Sequence, residues 1–427
     1  MATKNGKLAR GVSIIGVGCT PFGSVIKRPE LLGLTENELF AWACLEAMKD
    51  AGIEGKDIDA LFVSQLGNDQ NGNVLCPNVY YQDWVGMHGK PSYHHEEACG
   101  SPYLGVDLAV MAVASGKYDI VLTAGIEIES SFIRDTPSHI RTEKSKDPRS
   151  EGLGGRTVDM AYTRWEGAST AAMADDAAAT YVRNYGLTSE QMDDALNHLA
   201  ISNRRNAARI SRAFFQKEHK DIAIEKGMKD AMEYLRSDLN PKLTEYLRLN
   251  SMCAITDGAA AMIVCPTEMA KSFLQQPIEI LGTGVSSMDL RHPHNLKLIA
   301  ESAINQVYEG TGIKPEEIDL FMTQDLFLSE QLETAELAGY IPQGEMWRYA
   351  IDGRTAFDGD KPINVNGGRT SFGHAYGTSG LADFAEAVWQ MRGKCGERQV
   401  KKLPEVSMIR GMGGAQHGIA TIIRTQQ

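Results

Sequence analysis

The segment AGIEGKDIDALFVSQ, residues 51–65, returns as TGIKPEEIDLFMTQ at residues 311–324. Gly52, Ile53, Ile58 and Asp59 recur as Gly312, Ile313, Ile318 and Asp319 at one constant offset. Identities kept in a single register point to one folding unit used twice, which confines the chain to folds built from two like halves. An amphipathic helix precedes each copy, ELFAWACLEAMKDA in the first and LKLIAESAINQVYEG in the second, with apolar residues at three- and four-residue spacing. Before each helix a strand closes on Gly-x-Gly, as IIGVG and EILGTG, and after each copy come a loop of small residues, a helix and a further strand. The class is therefore α/β with duplicated βαβαβ-type halves, and two domain-sized copies exclude a stacked solenoid.

From about Ile126 to Asn250 the pattern changes. RDTPSHIRTEKSKDPRSEGLGG reads as a long mobile loop, and LTSEQMDDALNHLAISNRRNAARI as a helix opened by a capping box of Thr188 and Gln191. LNSMCAITDGAAAMIVCP then reads as a buried strand that returns to the first half. The expected organisation is a first half made of residues 1–125 plus 246–273, an inserted loop or lid domain at 126–245, and a second half at 274–427. A ligand is expected where such a lid covers a two-domain core.

Composition narrows the function classes. The net charge of −12, with no block of Lys or Arg, argues against a nucleic-acid or anionic-membrane surface. The apolar run Val12–Gly18 is too short to span a bilayer, and the polar stretch before it lacks the apolar core of a signal peptide, so a cytoplasmic enzyme is expected. Seven cysteines without a Cys-x-x-Cys pair indicate neither a disulfide framework nor a zinc site. His292 and His294 in RHPH have no Cys or acid cluster near them and read as a polar loop, so no metal is expected.

Cys99 lies between the extended segment PSYHHEEA and a helix beginning near Gly100, so its sulfur is expected to face unpaired helix N–H groups, which favour a thiolate. Gly100 and Ser101 leave room for a substrate to approach. On these features alone Cys99 is either a nucleophile or a small buried residue at a helix start. His374 sits in the glycine-dense run NVNGGRTSFGHAYGTSG, where backbone is expected close to a ligand. Duplication places that run opposite the Cys99 loop across a pseudo-twofold axis, and a Cys/His pair there can generate an acyl-accepting thiolate.

At these motifs the chain resembles the thiolases. EACGS is similar to their nucleophile loop, NVNGGRTSFGHAYGTSG to their histidine loop and GMGGAQHG to their final glycine turn. GVGCTPFG, YGLTSEQM and TDGAAAMIV are most similar to the sterol-carrier-protein type, and the likeness covers nearly the whole chain. The resemblance implies the thiolase fold, a five-layered α-β-α-β-α core with an inserted loop domain. It implies Cys99 as nucleophile and His374 as its activator, with Gln324 of the Gln-Asp-Leu-Phe stretch orienting a water or the His374 ring in one oxyanion hole. The backbone N–H groups of Cys99 and Gly413 would form the other. Cys253, Ser371 and Gly373 are the residues expected along coenzyme A, a co-substrate, with no cofactor bound covalently.

One departure stands out. Most thiolases carry a second cysteine that deprotonates the α-carbon, and its two usual places fall on Gly411 and Leu326 here. His417, an extra residue in the glycine turn, and His374 are the candidates to replace it. One of His94 and His95 is expected to line the pocket, or both to face solvent. The resemblance implies cleavage or formation of a β-ketoacyl-CoA, with benzoylsuccinyl-CoA the most specific substrate and acetoacetyl-CoA the rival. The missing cysteine leaves room for a Cys-His acyltransferase or condensing synthase acting on a non-CoA acceptor. Some relatives have lost the cysteine and run retro-aldol chemistry with tyrosines, against which Cys99 argues. A homodimer through edge strands of the first half is expected, with a small zinc-ribbon/OB-fold partner completing the coenzyme A site.

Overall fold

The computed structural model describes residues 8–66, 75–129, 170–287, 296–414 and 417–426. The loop expected at 134–155 and the RHPH histidines lie outside the described residues. The first half runs through β1 (Val12–Cys19), α1 (Glu36–Ala51), β2 (Ala60–Ser64), β3 (Ser92–His95), α2 (Ser101–Ala114) and β4 (Val121–Glu127). Helices α3 (Thr170–Tyr185) and α4 (Ser189–Ala207) follow before β5 (Gly258–Pro266) rejoins it. The second half contains β6 (Ile278–Ser287), α5 (Leu296–Thr311), β7 (Leu320–Thr323), α6 (Leu328–Leu337), α7 (Ser379–Met391), β8 (Val406–Gly413) and β9 (His417–Thr425).

The strands order β3-β2-β4-β5-β1-β6-β9-β8-β7. Read outward from the centre, β1-β5-β4-β2 on one side mirrors β6-β9-β8-β7 on the other. The halves join where Val12–Ile14 runs antiparallel to Ile278–Ile280. The duplicated residues do the same work twice. Gly52 and Gly312 take φ of 76° and 72° after α1 and α5, a left-handed turn that glycine adopts without strain. Asp59 accepts hydrogen bonds from the N–H groups of Asp119 and Ile120 ahead of β4, and Asp319 from those of Glu405 and Val406 ahead of β8. Each aspartate thereby fixes the entry of the strand parallel to its own.

Three apolar cores separate five layers. The middle core takes Tyr103, Val106 and Val110 of α2 and Leu381, Phe384 and Val388 of α7, together with one face of strands from both halves. One outer core packs α1 on the first half, and the other packs α3 to α6 on the second. Each large apolar side chain so buried contributes about 1.5–3 kcal/mol. This is the helix-sheet-helix-sheet-helix core that the resemblance implied, with β5 buried along its whole length as the sequence pattern suggested. Thr188 and Gln191 form the expected capping box: the Thr188 hydroxyl accepts from the Gln191 N–H at 3.2 Å, and the Gln191 side chain accepts from the Thr188 N–H at 2.9 Å. No described helix is long and apolar enough to cross a membrane. For the site, the important consequence is that α2 and α7 lie side by side in the middle layer, so the loops entering them meet.

Candidate active site

Cys99 occupies a tight turn between β3 and α2. Ala98 takes a φ of 48°, the Gly100 N–H donates to the Glu97 carbonyl at 2.9 Å, and the Ser101 hydroxyl donates to the Ala98 carbonyl at 2.6 Å. His374 enters from the loop before α7, and its Nε2 lies 3.2 Å from the Cys99 Sγ. Its Nδ1 lies 3.2 Å from the Ser379 Oγ, and the Ser379 hydroxyl donates to the Ala375 carbonyl at 3.1 Å. With that proton engaged, the Ser379 oxygen accepts from Nδ1–H, and the hydrogen-bond network assigns the Nε2 lone pair to the thiol. The loop is held in place through backbone bonds from the His374 N–H to the Ala254 carbonyl (2.7 Å) and from the Thr256 N–H to the His374 carbonyl (2.9 Å).

The expected resting thiolate is corrected by burial. Cys99 is 2% exposed, and desolvation pushes its thiol well above the usual range while holding His374 well below its own. A helix start does not outweigh that desolvation. Burial thus opposes charge on either group alone, and the 3.2 Å approach lets the thiol proton pass to Nε2 as an electrophile arrives.

Beneath the histidine loop lies a buried charge centre. Arg369 donates to both carboxylate oxygens of Asp383 at 2.8 and 2.6 Å, and also to the Tyr103 hydroxyl. Asp325 accepts from the Arg369 N–H (2.6 Å), the Asn203 amide (3.1 Å) and the Thr370 hydroxyl (3.1 Å), tying α4 to the loop.

The other expected residues fall in different places. Gln324 is buried at the end of β7, where its Oε1 accepts from the Met412 N–H at 3.2 Å while its Nε2 has no partner among the described residues. Gly413 lies against the Cys99 turn, so closely that a Cβ on it would stand 2.3 Å from the Glu97 carbonyl oxygen. Cys253 is also beside the nucleophile: its N–H donates to the Leu326 carbonyl at 2.8 Å, and burial pushes its thiol up to about 12. Ser371 and Gly373 pack instead inside the loop, Ser371 accepting from the Arg204 Nε and Gly373 against Thr256. The ring of His417 is directed to the Ser287 hydroxyl at 2.7 Å and to Glu97 at 3.3 Å. His95 bonds the Ser101 carbonyl and His94 the Gln65 carbonyl.

From Cys99 a narrow cavity of about 70 Å³ runs into the second half, between α3, α6 and the end of β8. Met173, Ala174, Leu326 and Leu337 give it an apolar wall, and Glu330 and Arg410 face into it as polar groups. The usual places of a second cysteine look in different directions. Leu326 lines this cavity, whereas Gly411 points the other way, where a Cβ would come within 2.0 Å of the Tyr103 ring. Glu330 and Arg410 escaped the sequence reading. The available signal was one arginine inside VSMIRGMG, a strand buried at every position. A wider cleft of about 800 Å³ includes Lys27, Phe214, Ile255 and Thr256, the last two flanking the backbone that holds His374.

Comparison with known proteins says what the chain as a whole is similar to. Residues 12–268 match the family model "Thiolase, N-terminal domain" and residues 282–426 match "Thiolase C-terminal domain-like". The acetyl-CoA acetyltransferase of Methanothermobacter thermautotrophicus is 32% identical over 95% of this chain and 97% of its own length. The benzoylsuccinyl-CoA thiolase subunit BbsB of Thauera aromatica is 30% identical over 96% of each. Among solved structures, the Ltp2-ChsH2(DUF35) aldolase superposes with a TM-score of 0.73 over 99% of both chains at 22% identity, a likeness of fold.

Proposed function

The chain belongs to the thiolase family of CoA-dependent acyltransferases, and from that premise we propose a two-step cycle carried by Cys99 and His374. The supporting observation is the 3.2 Å approach of the His374 Nε2 to the Cys99 Sγ at the meeting point of the two halves. As a β-ketoacyl-CoA binds, the thiol proton moves to Nε2 and the sulfur attacks the β-carbonyl carbon. Charge developing on that oxygen is met by the N–H groups of Cys99 and Gly413, and Gln324 serves the other oxyanion hole, with a water or the His374 ring, where charge develops on the departing thioester. The bond between the α and β carbons then breaks, its electron pair leaves on the α-carbon of the departing acyl-CoA, and His374 returns the proton there. In the second step a CoA thiol attacks the acyl-enzyme, giving its proton to His374 while Cys99 leaves. We assign coenzyme A to the cleft between Lys27 and Ile255, with Cys253 toward the pantetheine end. The same steps in reverse make a carbon–carbon bond.

Benzoylsuccinyl-CoA is the specific substrate proposed, with acetoacetyl-CoA as the rival. Both draw on the names of relatives that cover almost the full chain. The second reading, a Cys-His acyltransferase or synthase using a non-CoA acceptor, is favoured by Leu326 and Gly411 standing where a second cysteine is usual. A homodimer through the outer edge of β3 and a zinc-ribbon/OB-fold partner complete the proposed assembly; among the described residues β3 pairs on one side only. Intact-protein mass measurement after an acyl-CoA challenge tests the cycle: an acyl adduct on Cys99 is expected, absent in Cys99→Ala, whose turnover falls by about three orders of magnitude or more. No adduct on the native protein overturns it. Solvent-deuterium exchange at the α-carbon, expected for the thiolase cycle, separates it from the second reading.

A further inference from the structure

Arg410 sits in β8 with 2% of its surface exposed, one of the largest fully enclosed side chains in the molecule. Its Nε and Nη1 have no hydrogen-bond partner among the described residues. Buried guanidinium groups are ordinarily paired, because an unmatched N–H at such a site loses its hydration without compensation. Two acids of α6, Glu330 and Glu333, act on it through space, and neither accepts a hydrogen bond from those two nitrogens. The Glu330 carboxyl is already engaged elsewhere, accepting from the Leu326 N–H at 3.1 Å.

The location of this unmatched cation gives it meaning. Arg410 lines the same narrow cavity as Cys99, with Leu326, Met412 and Gly414 also in its wall. Strand alternation explains the direction. Ile409 joins the middle core and Gly411 faces Tyr103, so Arg410 must point to the opposite side, toward α6 and the cavity. An acyl chain held at the Cys99 sulfur and extended into this cavity shares it with an apolar wall and a planar, permanently charged fork. Arginine presents paired N–H groups in the spacing of a carboxylate, and desolvation strengthens such a pair.

We propose that Arg410 binds a free carboxylate on the acyl skeleton of the substrate, so that the preferred substrates are CoA thioesters of β-keto dicarboxylic acids. The proposal rests on the thiolase reading above and departs from benzoylsuccinyl-CoA, which would leave benzoyl, without a carboxylate, on Cys99; it favours substrates whose Cys99-bound acyl group carries the carboxylate. Glu330 supports the arrangement, since burial pushes its carboxyl up to about 8 and leaves it protonated near neutrality, where it does not neutralise Arg410. A neutral acyl chain would leave the guanidinium unmatched.

The test uses two CoA thioesters of equal chain length, 3-oxoadipyl-CoA and 3-oxohexanoyl-CoA, which differ by a terminal carboxylate in place of a methyl. The native protein, with its partner subunit if one co-purifies, is expected to favour 3-oxoadipyl-CoA in kcat/KM by about tenfold or more, the range a charge-assisted hydrogen-bond pair supplies. Arg410→Met, similar in length and uncharged, is expected to lose that preference through a fall in kcat/KM for 3-oxoadipyl-CoA larger than any change for 3-oxohexanoyl-CoA; Arg410→Lys is expected to keep part of it. Equal use of both thioesters by the native protein, or an equal fall on both in Arg410→Met, overturns the assignment. The native comparison stands even if a variant fails to fold. Acyl adducts on Cys99 from both thioesters without preference defeat the Arg410 assignment alone, whereas no adduct from either defeats the thiolase reading with it.

Discussion

Arg369 and Arg410 are buried to the same degree, 1% and 2% exposed, on opposite faces of β8. Arg369 spends both terminal nitrogens on Asp383 and Tyr103, joining the middle-layer helices under the His374 loop. Arg410 faces the acyl cavity with two nitrogens unmatched. The first arginine is a component of the fold; the second is held ready for something that arrives. A buried charge is costly in either case, but only the paired one recovers that cost within the protein itself.

The sharpest way to break this contrast is at the residue the paired centre positions. His374→Ala is expected to lower kcat/KM by about two to four orders of magnitude, with loss of the acyl adduct visible by mass. Normal acylation in that variant would mean that the ordered side of the site does not perform the chemistry. Next in size is stability. Arg369→Met strands Asp383 and is expected to lower unfolding free energy by about 3–5 kcal/mol, whereas Arg410→Met, removing a charge whose desolvation is not offset by hydrogen bonds, should leave it unchanged or raise it. Urea denaturation decides, and equal losses would erase the distinction between the two arginines.

A smaller effect concerns pH. Glu330 faces Arg410 from β8, Asp325 from the loop after β7, Glu333 on its own helix, and the Cys99 and Cys253 thiols. Its raised carboxyl is protonated below about 8 and ionised above. Ionisation neutralises Arg410, so kcat/KM for 3-oxoadipyl-CoA is expected to fall as pH rises through that value, while 3-oxohexanoyl-CoA lacks this descent. Glu330→Gln should flatten the difference between the two profiles. The smallest change is expected from His417→Ala, whose ring is directed toward Ser287 and Glu97. Deuterium exchange at the α-carbon should then stay within about threefold, well inside the hundredfold expected on removing a general base.

Much of the architecture was legible in the chain because it is local and repeated. Gly52 and Gly312, Asp59 and Asp319, and the two Gly-x-Gly strands announce the same unit twice, and the structure uses each pair alike. The Cys99–His374 meeting was legible through motif and duplication together. The ionisation of Cys99 was not, since helix-start geometry is visible in a sequence and desolvation is not. Arg410 and Glu330 were missed for a related reason: whether a buried charge has a partner depends on β8, α6 and α3 converging from distant parts of the chain.

Tyr103 also limits how this protein can change. Its ring fills the space in front of Gly411, so a cysteine introduced there would overlap it. Shortening Tyr103 to make room would remove the hydroxyl shared by Arg369 and Asp383. Gaining a second cysteine through position 411 is therefore obstructed in either order of substitution. In evolutionary terms the site is entrenched, and a designer wishing to reinstate a second thiol must rebuild the middle layer or enter from the side of Leu326.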